Sequence, residues 1–257
     1  MFCTPAPLDP AGTPGRGTDT CPPRCRDIVG RLILHLAISS SKYVQEAVRN
    51  CEKYLKEHFP ADHELIKNAP NPFPLGYEPE MDTSPELKPE EASYFQTLIG
   101  VMRWMVELGR VDIAVEVSQL SSFLAMPRQG HSINALHVMS YLRLKHNSML
   151  VLDPSYPGVN QDEFKSDENW TAFYGDVEEA LPPNAPKPLG EEVTLRMFVD
   201  SDHAGNKSDR RSRTGFMIFM NMAMIQWHSK KQATVEGAVF GAEFVAMKQG
   251  VEELRGI

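Results

Sequence analysis

Between Ser41 and Phe59 the apolar residues Val44, Ala47, Cys51, Tyr54 and Leu55 recur on one helical face. That spacing predicts a helix, with Ser39, Ser40 or Ser41 available as its N-cap and Pro60 ending it. Three more helical patterns follow. Tyr94 to Leu108 is almost continuously apolar, which predicts a largely buried helix. Asp112 to Leu124 places Ile113, Val117, Leu120 and Leu124 on one side and stops before Pro127, while His131 to Lys145 carries Ile133, Leu136, Met139 and Leu142. Arg143, Lys145 and His146 cluster where that last helix ends, a place where positive charge suits the helix dipole. From Thr194 the period changes to two. Thr194–Asp200, Gly215–Met220 and Met224–His228 read as three strands, the last two joined by a short loop near Asn221 as an antiparallel hairpin or meander. A final helix is predicted from about Val235 to Leu254, with an apolar stripe of Phe240, Phe244, Met247, Val251 and Leu254 expected to face a core.

The punctuation between these elements divides the chain. Residues 1–38, rich in Pro and Gly, read as a disordered leader, since such a segment cannot bury enough apolar surface to offset its ordering entropy. Cys21 and Cys25 in it lack the further ligands a zinc site needs. After the bridging helix of 39–60 comes a Pro-rich connector over 61–91, then a helical region over 92–157. Residues 158–193 form an acidic, Pro-containing linker, and 194–257 a separate unit. The expected fold class is α+β. No run approaches the roughly 20 apolar residues of a membrane helix, and the Pro- and Gly-rich start lacks a secretory pattern, so no membrane partner and an intracellular setting are expected.

Charge refines this division. The net charge of −8 argues against a protein that coats nucleic acid over its whole surface. Residues 194–257, however, hold nine Lys/Arg against seven Asp/Glu, so a local basic face is possible there. Lys207, Arg210, Arg211 and Arg213 lie between the first two strands, and Lys230 and Lys231 follow the third. These cations could track phosphates or could be ordinary solvated loop charges. Asp200 and Asp202 share a strand face and could hold a divalent cation, or could mark a polar turn. Glu243 sits inside the apolar stripe of the last helix, where a carboxylate is costly unless a metal or a lysine meets it.

Tyr94-Phe-Gln-Thr-Leu-Ile-Gly100, Arg110-Val-Asp-Ile-Ala114 and Val117-Ser-Gln-Leu-Ser121 together resemble the region after the polymerase palm in copia-type retrotransposon Pol polyproteins. Val111 stands where that family usually has Pro. His137-Val-Met-Ser-Tyr-Leu142 and Ser40-Ser-Lys-Tyr-Val-Gln45 are similar to its neighbouring segments. Further on, Asp200-Ser-Asp-His-Ala-Gly205, Asp209-Arg-Arg-Ser-Arg-Thr-Gly215, Trp227-His-Ser-Lys-Lys-Gln232 and Ala242-Glu-Phe244 resemble, in order and spacing, the family's ribonuclease H domain.

The resemblance implies a helical connection region followed by an incomplete ribonuclease H-like mixed sheet with one flanking helix. It implies Asp200 and Glu243 as catalytic carboxylates, Asp202 as a further metal ligand, Mg²⁺ as cofactor, and an RNA–DNA hybrid or other nucleic acid as partner. The six cations would then contact that nucleic acid, and other polyprotein fragments could complete the unit. Gly241 stands where the family often has a further Glu. The polymerase motif Tyr-x-Asp-Asp does not occur in the sequence, so reverse transcription by this chain is not expected. The family's later catalytic aspartates have no counterpart before Ile257, so weak Mg²⁺ binding, little nuclease activity and one uncovered face of the sheet are expected. A non-catalytic nucleic-acid-binding or assembly module is the alternative.

Overall fold

A computed structural model describes residues 36–59, 64–158, 171–175, 183–186, 190 and 192–257. The helical layer is built from α1 (Ser41–His58), α2 (Pro89–Glu107), α3 (Ala114–Leu120) and α4 (Gln129–Leu144). One apolar cluster unites them: Val44, Val48, Cys51 and Leu55 from α1, Phe95 to Met105 from α2, Val117 and Leu120 from α3, and Ala135 to Leu142 from α4. The helical spacing read from the sequence is what the core uses in α1 and α3, whereas Trp104 on α2 and Ile133 on α4, expected inside, are 55% and 54% exposed. Residues 112–124 are less regular than expected, because short 3₁₀ turns at Val111–Ile113 and Ser121–Phe123 flank α3. The N-cap position of α1 falls on Ser40, whose hydroxyl makes no capping hydrogen bond.

Two short strands, β1 (Leu36–Ser39) and β2 (Met149–Leu152), pair antiparallel, Leu36 opposite Leu152 and Ser39 opposite Met149. The leader expected over 1–38 therefore ends inside a strand, while Cys21, Cys25 and the rest of 1–35 lie outside the described residues. Beside this pair, the Ser41 hydroxyl and the Gln45 amide meet Nδ1 of His146 at 2.9 and 3.1 Å, fastening the start of α1 to the end of α4. Arg143 reaches Glu52 at 3.0 Å and the Ile66 carbonyl at 2.8 Å. Arg143 and His146 of the cluster at the end of α4 are structural cement, while Lys145 is exposed.

Most of the acidic linker lies outside the described residues; within it is α5 (Thr171–Tyr174). The second layer is a three-stranded antiparallel sheet, β3 (Leu195–Asp202), β4 (Arg213–Met220) and β5 (Ala223–Lys231), in the order β3-β4-β5. β4 and β5 form the expected hairpin, and Asn221 in its two-residue turn takes φ 55°, a conformation Asn tolerates better than most residues. The last helix, α6 (Val239–Leu254), packs on β3 and β4.

One expectation is corrected here. The α6 stripe does not face the core: Phe240 is 80% exposed and Phe244 52%, and Met247 and Val251 are also exposed. Its buried line is Ala242, Ala246 and Gly250, because only small residues let the helix lie this close to the sheet; a Cβ at position 250 would run into the Met197 sulfur. The sheet's other face, expected to be bare, is open over β3 and the middle of β4, where Phe198 is 55% and Met217 42% exposed; the helical layer meets it along β5, where the Ser118 hydroxyl on α3 donates to the Ser229 carbonyl at 2.6 Å. Both layers together give an α+β architecture.

Candidate functional site

Strand alternation sorts the charged residues between the two faces of the sheet. Met197, Phe216 and His228 lie under α6, since Gly250 abuts Met197 and Phe216, and the Gln249 amide meets Nε2 of His228 at 3.1 Å. Asp200, Asp202, Arg213, Trp227 and Lys231 occupy alternate positions and therefore face the helical layer. A cavity of about 480 Å³ opens there, lined by Val115, Phe198, Asp200, Gly215, Met217 and Trp227 among others.

Asp200 and Asp202 thus share one face, as the period-two pattern requires. Asp202, though exposed, is held from one side: its Oδ1 accepts the backbone N–H of Arg213, and Gly205 lies against its carboxyl, leaving no room for a Cβ there. Desolvation pushes its pKa above the usual aspartate value, while the Arg213 N–H and guanidinium oppose that shift. Burial lowers the pKa of Arg213, whose Nη1 donates to the Ser118 hydroxyl at 2.6 Å. Asp200 is exposed and has no hydrogen bond or ion pair among the described residues.

Glu243 is half-buried on α6 and likewise makes no ion pair among the described residues. It belongs to the helix on one face of the sheet, whereas Asp200 projects from the other. Among the described residues no three His, Cys, Asp or Glu side chains gather as a group able to hold a metal ion. A centre for Mg²⁺ built on both Asp200 and Glu243 does not fit this arrangement, because Asp200 projects from the face of the sheet opposite α6, which carries Glu243; Asp202 keeps Oδ2 beside Gly205.

The cations divide differently. Lys207 pairs with Glu78, and its backbone N–H donates to Glu80 at 3.1 Å. Lys231 reaches Asp209 at 2.8 Å, and Arg211 lies 3.9 Å from the same carboxylate. Against a small desolvation, hydrogen bonds from the Lys231 ammonium and the Arg211 backbone N–H hold the pKa of Asp209 below the usual aspartate value. Arg210 takes φ 59° in the exposed turn, and Lys230 is exposed on β5. Four of the six cations therefore fasten the turn or dock the sheet on the helical layer.

One polar group of consequence carried no warning in the sequence. Arg110, 1% exposed, grips Asp112 through two bonds, Nε–Oδ1 at 2.9 Å and Nη2–Oδ2 at 2.7 Å, and the Tyr141 hydroxyl donates to Oδ2 at 2.9 Å. The Arg-x-Asp spacing beside a helix start is the only local signal for it. The partner on α4 is remote in sequence. Among the described residues no helix is long and apolar enough to cross a membrane.

The chain is similar to several transposon proteins. It is 21% identical over 193 residues to the retrovirus-related Pol polyprotein from transposon RE1 of Arabidopsis thaliana, covering 75% of this chain and 11% of that one. It is 24% identical over 173 residues to a transposon Ty5-1 protein of Saccharomyces cerevisiae, covering 67% and 44%. A secreted RxLR effector protein, number 161, of Plasmopara viticola is 24% identical over 159 residues, covering 62% and 87%. The chain thus spans about a tenth of the first of these and under half of the second. No family model matches the chain. No solved structure matches it either.

Proposed function

This chain is a relative of the Pol polyproteins of copia-type transposons, and from that premise we propose that it is a non-cleaving connection module. In this reading a ribonuclease H-related sheet is docked on the helical region that follows the polymerase palm, and the unit serves assembly of the polyprotein rather than hydrolysis of RNA. The observation that carries the reading is the separation of Asp200 from Glu243 by the sheet, together with the use of Lys207, Arg213 and Lys231 in internal contacts. A water activated by metal needs converging carboxylates, and a duplex needs cations free to exchange with its counterions.

The test is a labelled RNA–DNA hybrid incubated with the purified chain in Mg²⁺ or Mn²⁺. No cleavage above buffer is expected, and Asp200→Asn should behave as the parent does. Metal-dependent cutting that Asp200→Asn or Glu243→Gln abolishes would overturn the reading.

A further inference from the structure

We infer that the cleft enclosed by α2, α3 and β5 is a binding site for an organic phosphate that carries a flat ring, of the size of a nucleoside monophosphate. Three observations support this.

The first is the space. Beside the contact of Ser118 with Ser229 lies a second cavity, of about 510 Å³. Sites for small organic ligands have volumes of this order, and one inorganic anion needs far less. Val106 on α2 and Val117 on α3 supply apolar wall on the helical side, and the half-buried Trp227 lines the side of the strand. Every wall comes from residues 103–122 and 227–231, so the packing of the two layers encloses the cleft.

The second is a surplus of hydrogen-bond donors. Arg103 on α2 and Lys230 on β5 are both exposed, and neither has a hydrogen bond or an ion pair among the described residues. The Trp227 indole N–H likewise has no acceptor there. Ser229 adds a backbone donor. Its carbonyl accepts from Ser118, so its backbone groups turn away from β4, and its N–H has no acceptor among the described residues. Against these donors the lining sets a single carboxylate, Glu107. A phosphate, rich in acceptor oxygens and anionic, complements such a set.

The third is how the charges are distributed. Arg103 belongs to the helical layer and Lys230 to the sheet, so one phosphate between them meets a cation from each. Lys231, which also lines the cleft, is already held by Asp209 at 2.8 Å. A nucleic-acid strand is tracked by a row of free cations, one for each phosphate contacted. Two cations flanking one cavity suit a single phosphate instead, and the indole offers its ring partner a stacking face.

Isothermal titration calorimetry with the full chain tests this, with adenosine monophosphate, inorganic phosphate and adenosine as probes. The monophosphate should bind about tenfold or more tightly than either half alone, because its two parts are joined. Arg103→Ala and Lys230→Ala, both at exposed side chains, should each weaken it by about fivefold. Glu107→Gln should tighten it by about twofold, since the only like charge in the lining is then gone. Trp227→Leu should remove the advantage of the monophosphate over inorganic phosphate while leaving phosphate binding unchanged; circular dichroism checks that each variant is folded. No binding of the monophosphate at millimolar concentration, or binding that neither cation variant weakens, would overturn the inference. So would an oligothymidylate that binds where the monophosphate does not, because the cations would then follow a strand.

Discussion

Arg110 shows how far one side chain can govern a small layer. Its guanidinium is buried against Asp112, and Tyr141 from α4 completes the group. Removing one member of such a pair leaves an uncompensated buried charge. Asp112→Asn should therefore lower the unfolding free energy by about 3–5 kcal/mol, read from the midpoint of a denaturant titration. A change below about 1 kcal/mol would mean that water reaches the guanidinium. Among the other charged residues, the sequence exposed identity better than role. The shared face of Asp200 and Asp202 follows from strand alternation alone. The pairing of Lys207 with Glu78 does not, because the acid lies in a connector whose path no local pattern reveals.

At the scale of elements, period decided more than polarity. The helices of the first layer were legible because apolar residues recur along them at helical spacing, and the hairpin at Asn221 because strand period and a turn residue agree. α6 was misread for a physical reason. Its large apolar residues and its small ones lie on different flanks, and the sheet takes the small ones, which permit the closer approach. Hydrophobicity ranks Phe240 and Phe244 above Ala246; packing distance ranks them the other way. Ala246→Leu should consequently lift the helix and cost about 1–3 kcal/mol in thermal or chemical unfolding. Phe244→Ser, at a side chain 52% exposed, should change stability by less than about 0.5 kcal/mol.

The described residues form two layers, and each contains a histidine whose pKa burial lowers. Desolvation lowers the pKa of His137 on α4, and it lowers His228 on β5, where Lys230 adds to the effect and Glu253 opposes it. Both folded-state values lie below the ordinary 6.5, so in mild acid the unfolded chain binds protons that the folded one refuses. Stability from these residues is therefore present above that pH and declines as pH falls through it. The melting temperature should drop between about pH 7.5 and about 5.5, and His137→Gln together with His228→Gln should flatten that slope. What no pattern in the sequence foretold is how the layers are joined. The contact of Ser118 with Ser229, and the pairing of Leu36–Ser39 with Met149–Leu152, each link segments too far apart for periodicity to register.

The second of these contacts decides how the helical layer answers to mechanical load. Leu36 and Leu152 face one another at the point where the chain enters the layer and where it leaves. Tension applied to those two places pulls the strands apart like a zipper, one rung after another, instead of sliding them in shear against all rungs at once. A pull on the flanking chain thus meets the clasp first and loads it one rung at a time, ahead of the helices it closes.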